Sequence, residues 1–473
     1  MKILQEYSVL NAKVIIYEEN GIGYYKVIEP SLNENEIRLL QEVIDYIYSF
    51  PTVSSAEDIL LKFFKEKGVD DQNVIERIMY FIRKKITYED LLVPMSDPYV
   101  EEIECKGFSY PITIVHREVT RFPRLYTNIV FKTEDEVIRI IEKLASKADR
   151  SVNIARPYLE FSLPEGHRVA VTVSREISLP GSTIDIRKFP LKPISPISLV
   201  KNNSMSPLLL SYIWFLLDYK PFILITGSTG SGKTTLLNAI LSMVNPFYKI
   251  ITIEDTPEIN LFHDNWIRLF ARQSLFSQFE VSLMDLAKLS LRYRPDYLVI
   301  GEVRGKEIEA LVHASASGHG SLATFHAGSP QETLTRLTSL LNKDITKLFI
   351  QNLWNIIVLG SIRDENNNIR RIVKAVYELE YNNNKLKFLK IFKWSYINNS
   401  FIPMNAEELF KRSYKLKYIS KVYEIHSKEI INEISRRAQF INNLVNEEVF
   451  DLEELNSYLR KFYIGDENEI ENK

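Results

Sequence analysis

The sequence predicts an α/β protein in two halves: an N-terminal mixed α/β unit and a parallel α/β core that carries a C-terminal helical appendage. Three observations predict it. Short β-rich runs (ITIVHREV, HRVAVTV, STIDIRKF) crowd residues 111–189, punctuated by Pro157, Pro164, Gly166, Pro180 and Gly181. Apolar strands then recur at residues 222–226 and near Ile250, Tyr297 and Leu322, each separated by helical sequence, the alternation of a parallel sheet. Between the two regions stand Pro190, Pro193 and Pro196, which stiffen the chain and continue neither a helix nor a central strand.

At 473 residues the chain allows roughly three folding units and at least one large core. Hydrophobic residues at 45% and charged residues at 25% are ordinary globular values, which excludes collagen-like, low-complexity and wholly disordered chains. Lys and Arg number 59 against 61 Asp and Glu, so no global field draws the protein onto nucleic acid or acidic lipid. The single cysteine, Cys105, excludes an internal disulfide framework and any zinc site that needs two thiolates; it suits a reducing compartment, and the expected location is cytoplasmic. The opening residues meet Lys, Glu and Asn too early to read as a signal peptide. The longest apolar run, LLLSYIWFLL at residues 208–217, is half the length of a membrane span and reads as a buried helix.

Taken in order, residues 34–80 repeat apolar positions at three and four (Ile37, Leu40, Val43, Ile44, Ile47; Ile59, Leu60, Phe63, Phe64), the period of helices with one buried face. Residues 1–95 are therefore expected to be a mostly helical subdomain, and 96–189 an α/β domain. A proline-rich linker is expected over 190–199 and the core over 200–380. Residues 381–473 pass through an Asn-rich turn and a β-like stretch into charged amphipathic helices.

Residues 227–234 read GSTGSGKT, two glycines four residues apart followed by Lys and a hydroxyl residue. The preceding FILIT is strand-like and the following TLLNAILSMV helical, so amides and a helix dipole would converge on an anion. Small residues let the backbone approach phosphate oxygens, Lys233 would neutralise the β- and γ-phosphates, and the Thr234 hydroxyl would ligate Mg2+. A plain glycine-rich turn is disfavoured by both flanks. The candidate nucleotide-binding residues are Gly227, Ser228, Thr229, Gly230, Ser231, Gly232, Lys233, Thr234 and Thr235.

Two further strands decide what such a loop serves. KIITIED brings Glu254 and Asp255 to a strand end, with Pro257 turning the chain and Glu258 just beyond, where ligands of α/β sheets bind and where one carboxylate can orient water. The strand after RPD delivers Gly301, Glu302, Val303 and Arg304 to the same edge, placing Glu302 near Mg2+ or its water shell. Solvated loop charges are the competing reading of each cluster. The segment ASGHGSLATFHA carries His319 and His326; core hydrogen bonding is their bland reading, and zinc is disfavoured because only His313 is near and cysteine is absent. A γ-phosphate sensor fits an imidazole there better.

In order, GSTGSGKTT, ITIEDTPEI, RPDYLVIGEVRGKE and ASGHGSLATFHA resemble the Walker A, aspartate, atypical Walker B and histidine boxes of the type II/type IV secretion ATPase superfamily. Upstream, ARPYLEFSLPEGHRVAVTVS and GSTIDIRKFP resemble the substrate-side domain of archaeal pilus and archaellum assembly ATPases, so the likeness covers roughly residues 90 to 380. It implies a RecA-like P-loop core that binds ATP and Mg2+ in the cleft between the two halves, with Glu258 as general base supported by Glu254 and Asp255. Glu302 takes the Walker B role, and Gly301 replaces the usual Asp, a departure the family shares. His326 would approach the γ-phosphate, with His319 a weaker partner. Arg156, Arg168 and Arg187 match stretches that lend arginines to the nucleotide in a hexameric ring, Arg168 and Arg187 as catalytic fingers; surface ion pairing is their alternative. The resemblance further implies a homo-hexamer that drives pilin-like subunits through a polytopic membrane platform protein. A four-cysteine zinc insertion common in bacterial relatives is missing, which favours the archaeal branch.

Competing readings are a nucleic-acid motor for conjugation or DNA uptake, a nucleotide-dependent scaffold, and a small-molecule kinase. Net charge −2 disfavours the first, intact acidic positions the second, and the histidine segment the third.

Overall fold

The structure, a computed structural model, describes residues 1–48, 56–153, 155–189, 193–272, 280–363, 367–382 and 385–470. The chain divides into two compact units, Met1–Leu191 and Lys192–Lys473.

The first unit is one nine-stranded sheet with strands β1 (Lys2–Val9), β2 (Ala12–Glu19), β3 (Ile22–Ile28), β4 (Val100–Cys105), β5 (Pro111–His116), β6 (Leu125–Val130), β7 (Tyr158–Ser162), β8 (Arg168–Thr172) and β9 (Thr183–Arg187), ordered β1-β2-β3-β6-β5-β4-β9-β8-β7. Only β3 and β6 run parallel. In β6, Leu125, Thr127 and Ile129 are buried while Tyr126, Asn128 and Val130 are exposed, the alternation of a half-buried strand. The helix Glu134–Lys147 buries Val137, Ile140, Ile141 and Leu144 on one stripe, and its first turn is capped by Thr133, whose side chain accepts from the Glu136 amide.

This sheet corrects the expectation of a mostly helical subdomain over 1–95. Residues 2–28 form three strands, and they join the same sheet as β4–β9, so no domain boundary falls near residue 95. Helices do follow, at Glu34–Tyr48, Ala56–Lys67 and Gln72–Ile86, packing Val43, Leu60, Phe63, Phe64, Ile78 and Ile82 into a small cluster of their own.

The second unit is also a nine-stranded sheet. Its strands are β10 (Phe222–Thr226), β11 (Ile250–Glu254), β12 (Trp266–Phe270), β13 (Tyr297–Val303), β14 (Gly320–Phe325), β15 (Leu353–Arg363), β16 (Ile369–Asn382), β17 (Lys385–Ser395) and β18 (Ser400–Ile402), ordered β12-β11-β13-β14-β10-β15-β16-β17-β18. The first six in that order are parallel and the remainder form an antiparallel meander. Every residue of β10, β11 and β14 is buried, as strands covered on both faces must be. An appendage boundary near residue 380 therefore falls inside β16, and the β-like stretch beyond it extends the core sheet.

The apolar run lies in the helix Pro207–Leu217, in which all residues after Pro207 are buried because each side has a cover. Toward the sheet, the Tyr212 hydroxyl donates to Glu378 Oε1 at 2.6 Å. On the other side Trp214 meets Phe440 and Phe462 of the helices Ser427–Asn446 and Leu452–Ile470, with Arg437 stacked 4.6 Å from its ring centroid. Among the described residues no helix is long and apolar enough to cross a membrane. The expected linker also changes. Pro190 lies outside the described residues, while Pro196 opens the helix Pro196–Lys201 behind the cap Ser195, a position where a missing N–H costs nothing.

Candidate active site

Four adjacent parallel strands, β11, β13, β14 and β10, end at one edge. At the end of β10 the chain turns through residues 227–232 into the helix Lys233–Leu241. Gly230 and Gly232 adopt left-handed φ values of +71° and +91°, which favour glycine. A Cβ on Gly227 would stand 2.4 Å from Ser231 Oγ, so only glycine fits that close turn. No side chain caps the helix start, the end of a helix whose amides suit an anion. Ser231 is buried and its Oγ has no hydrogen-bond partner; Thr234 and Thr235 follow on the first helical turn, half-buried.

Two hydrogen-bonded chains meet here. In the first, Lys233 is buried, and its Nζ lies 3.3 Å from the Gly227 carbonyl oxygen, 3.1 Å from that of Ser228 and 3.2 Å from His326 Nε2. His326 Nε2 is also 3.0 Å from Glu302 Oε1. One ring nitrogen cannot accept from the ammonium and donate to the carboxylate at once, so the proton on Nε2 decides which neighbour His326 serves. Burial, and then the Lys233 charge, lower the His326 pKa, with Glu302 opposing.

In the second chain the Thr234 hydroxyl donates to Glu258 Oε2 at 2.8 Å. The amides of Glu258 and Ile259 in turn donate to Glu254 Oε1 at 2.9 and 2.7 Å. Glu254 is buried, its Oε2 meets no partner, and burial pushes its pKa up to about 7.

Gly301 explains its own departure from the usual Asp. Between β13 and β14 the register slips, pairing Ile300 with Ala323 and Glu302 with Thr324, so Gly301 is the extra residue. A Cβ there would come 3.0 Å from Glu254 Cγ. The slip leaves Glu302 beside His326.

Three groups that sequence reasoning gave no role complete the edge. Arg304 donates to Glu302 Oε2 from Nε and Nη2 at 2.8 and 2.5 Å, and reaches Asp255 Oδ2 at 3.3 Å, tying two acidic clusters together. Glu307 accepts from the amides of Arg304 and Gly305. Arg336 donates to the His326 carbonyl and stacks 4.8 Å from the Phe325 ring. The visible signal for Arg304 was its place two residues after Glu302; Arg336 carried none.

His319 does not join them. His319 precedes β14 and His326 follows it, so six residues of strand, roughly 20 Å, separate the two; His319 is no partner of His326 at this edge. Arg156, Arg168 and Arg187 all belong to the first unit. Arg168 is in register with Arg187 and pairs with Glu160. The Arg187 guanidinium lies 5.9 Å from the Phe189 ring. Arg156 lies beyond the other end of β7, so it stands apart from that pair.

The Thr234, Glu258 and Glu302 oxygens are hard donors that fit Mg2+. Among the described residues no three His, Cys, Asp or Glu side chains group to hold a metal.

The family described as "Type II/IV secretion system protein" matches residues 115–359. Uncharacterized protein MJ0900 of Methanocaldococcus jannaschii is 30% identical over 481 residues, covering 93% of this chain and 85% of that protein. Protein VirB11 of Rhizobium radiobacter is 38% identical over 124 residues, 26% of this chain and 36% of its own. Among solved structures, the Legionella pneumophila ATPase DotB has a TM-score of 0.46 at 16% identity, over 80% of this chain and 95% of that one. The chain belongs to the type II/IV secretion system protein family.

Proposed function

We propose that the protein is a cytoplasmic P-loop ATPase of the archaeal pilus and archaellum branch. It works as a homo-hexameric ring and couples ATP hydrolysis, through a polytopic membrane platform protein, to assembly of pilin-like subunits. The observation that carries the reading is the convergence of Lys233–His326–Glu302 and Thr234–Glu258–Glu254 at one sheet edge.

The loop amides and Lys233 bind the phosphates. Glu258 accepts the proton of the attacking water at Oε2, the oxygen that holds the Thr234 hydroxyl. Glu254 fixes the Glu258 backbone through its amide. His326 donates from Nε2 to the γ-phosphoryl oxygen and, once phosphate leaves, returns to Glu302. Arg304 holds Glu302 and Asp255 in place. Thr234 and Glu302 are the residues that would hold Mg2+, which would supply charge neutralisation at the phosphates. Arg168 and Arg187 serve as fingers from the first unit, and Arg156 as a separate phosphate contact.

Phosphate release from ATP by the purified protein, with Lys233→Ala as control, tests the reading. Turnover that vanishes in the variant supports it; equal turnover overturns it. Turnover stimulated by DNA in a strongly salt-dependent way would instead favour the nucleic-acid motor.

A further inference from the structure

We propose that Arg371 is a nucleotide-binding residue of the core itself, its guanidinium placed to bind the diphosphate held by the loop at residues 227–232. This rests on the nucleotide reading above. It assigns a cation to the site from the antiparallel meander, independent of the arginines of the first unit.

The register of β15 and β16 puts Leu359 opposite Val373 and Ser361 opposite Arg371, one pair further along the same face. That face meets the loop, since the Leu359 Cβ would be 3.1 Å from a Cβ on Gly227. Arg371 continues the contact: its Cδ would be 3.6 Å from a Cβ on Gly232. Gly232 is the left-handed residue that opens the helix Lys233–Leu241, where backbone amides receive phosphate. The Arg371 stem therefore crosses the loop beside the spot at which an anion would sit, and the residue is exposed.

Its neighbour shows that this placement is specific to one of two adjacent arginines. Arg370 projects to the opposite face, where it stacks 5.0 Å from the Trp394 ring and Nη2 lies 3.4 Å from Asn399 Oδ1. One arginine braces the meander and the other reaches the loop. The loop also holds a second group suited to an anion, the buried Ser231 hydroxyl that has no partner.

Because β16 is two strands from β10 in the same sheet, Arg371 keeps its place whether ATP or ADP is bound. Its contribution is uniform binding: KM rises on its removal and kcat stays close to wild type. A charge-assisted contact of this kind is worth roughly tenfold or more in affinity.

The test is binding of MgADP and AMP to the full chain, with steady-state turnover, in wild type, Arg371→Ala, Arg371→Lys and Arg370→Ala. Expected for Arg371→Ala are an ADP affinity at least about tenfold weaker, an AMP affinity changed much less because AMP lacks the second phosphate, and a raised KM with kcat within about twofold. Arg371→Lys should recover part of the ADP affinity and Arg370→Ala should bind ADP like wild type. Unchanged ADP binding in Arg371→Ala overturns the assignment, as does an equal loss for AMP and ADP, which would put the guanidinium on the base or ribose. Wild type that binds no MgADP overturns the nucleotide reading itself, a result distinguishable from either.

Discussion

Glu254 offers a test that needs no knowledge of the cargo. Its Oε1 accepts two backbone amides, its Oε2 is buried without a partner, and burial moves its pKa from 4.5 to about 7, with the two amides and Arg268 opposing. Between those values the folded protein holds a proton that the unfolded chain has released. Stability from this group is therefore present below pH 4.5 and lost as pH rises toward 7, by about 3 kcal/mol at 1.36 kcal/mol per pH unit. Glu254→Gln keeps an acceptor for the amides and cannot ionise. Its stability relative to wild type should rise by about 3 kcal/mol between pH 4.5 and pH 7.5, or roughly 5–10 °C in melting temperature for a unit of this size. Differential scanning calorimetry of both proteins at pH 5 and pH 8 reads this directly. A melting difference that is the same at both pH values would refute the argument that burial, uncompensated at Oε2, controls this carboxyl.

Gly301→Asp should lower turnover at least about tenfold and melt several degrees earlier, because the new Cβ meets Glu254 Cγ at 3.0 Å; wild-type values for both would contradict the role given to the register slip. Arg304→Met should leave MgADP affinity near wild type and slow phosphate release by roughly ten- to a hundredfold, since Glu302 and Asp255 lose their shared anchor. Arg437→Met should cost about 3 kcal/mol in thermal unfolding, because it strips the cationic partner from Asp218 beneath the C-terminal helices and leaves only the Tyr463 hydroxyl on that carboxylate; a loss under about 0.5 kcal/mol would show that the helices dock without it.

How far the fold was legible depended on whether the signal was local. The strand FILIT and the helix after the glycine loop announce themselves by composition, and β10 and Lys233–Leu241 lie there. The strands of residues 2–28 carry one strong local signal, Asn20-Gly21, whose φ values of +52° and +77° make the hairpin turn between β2 and β3. The helical period downstream dominated that region. The parallel pairing of β3 with β6 joins segments about a hundred residues apart, and no local pattern encodes it. At the site, the residues of each box were visible, but their partners were not. Arg304 bridging two boxes, Arg371 against the glycine loop and the separation of His319 from His326 are consequences of sheet order and register.

On the proposed function, Glu258 activates water beside the phosphate loop. The most direct measurement is single-turnover phosphate release from MgATP by Glu258→Gln, with nucleotide binding measured on the same protein. We predict retained MgATP binding and release slowed by roughly 10^2 to 10^4. Release at the wild-type rate would contradict the account.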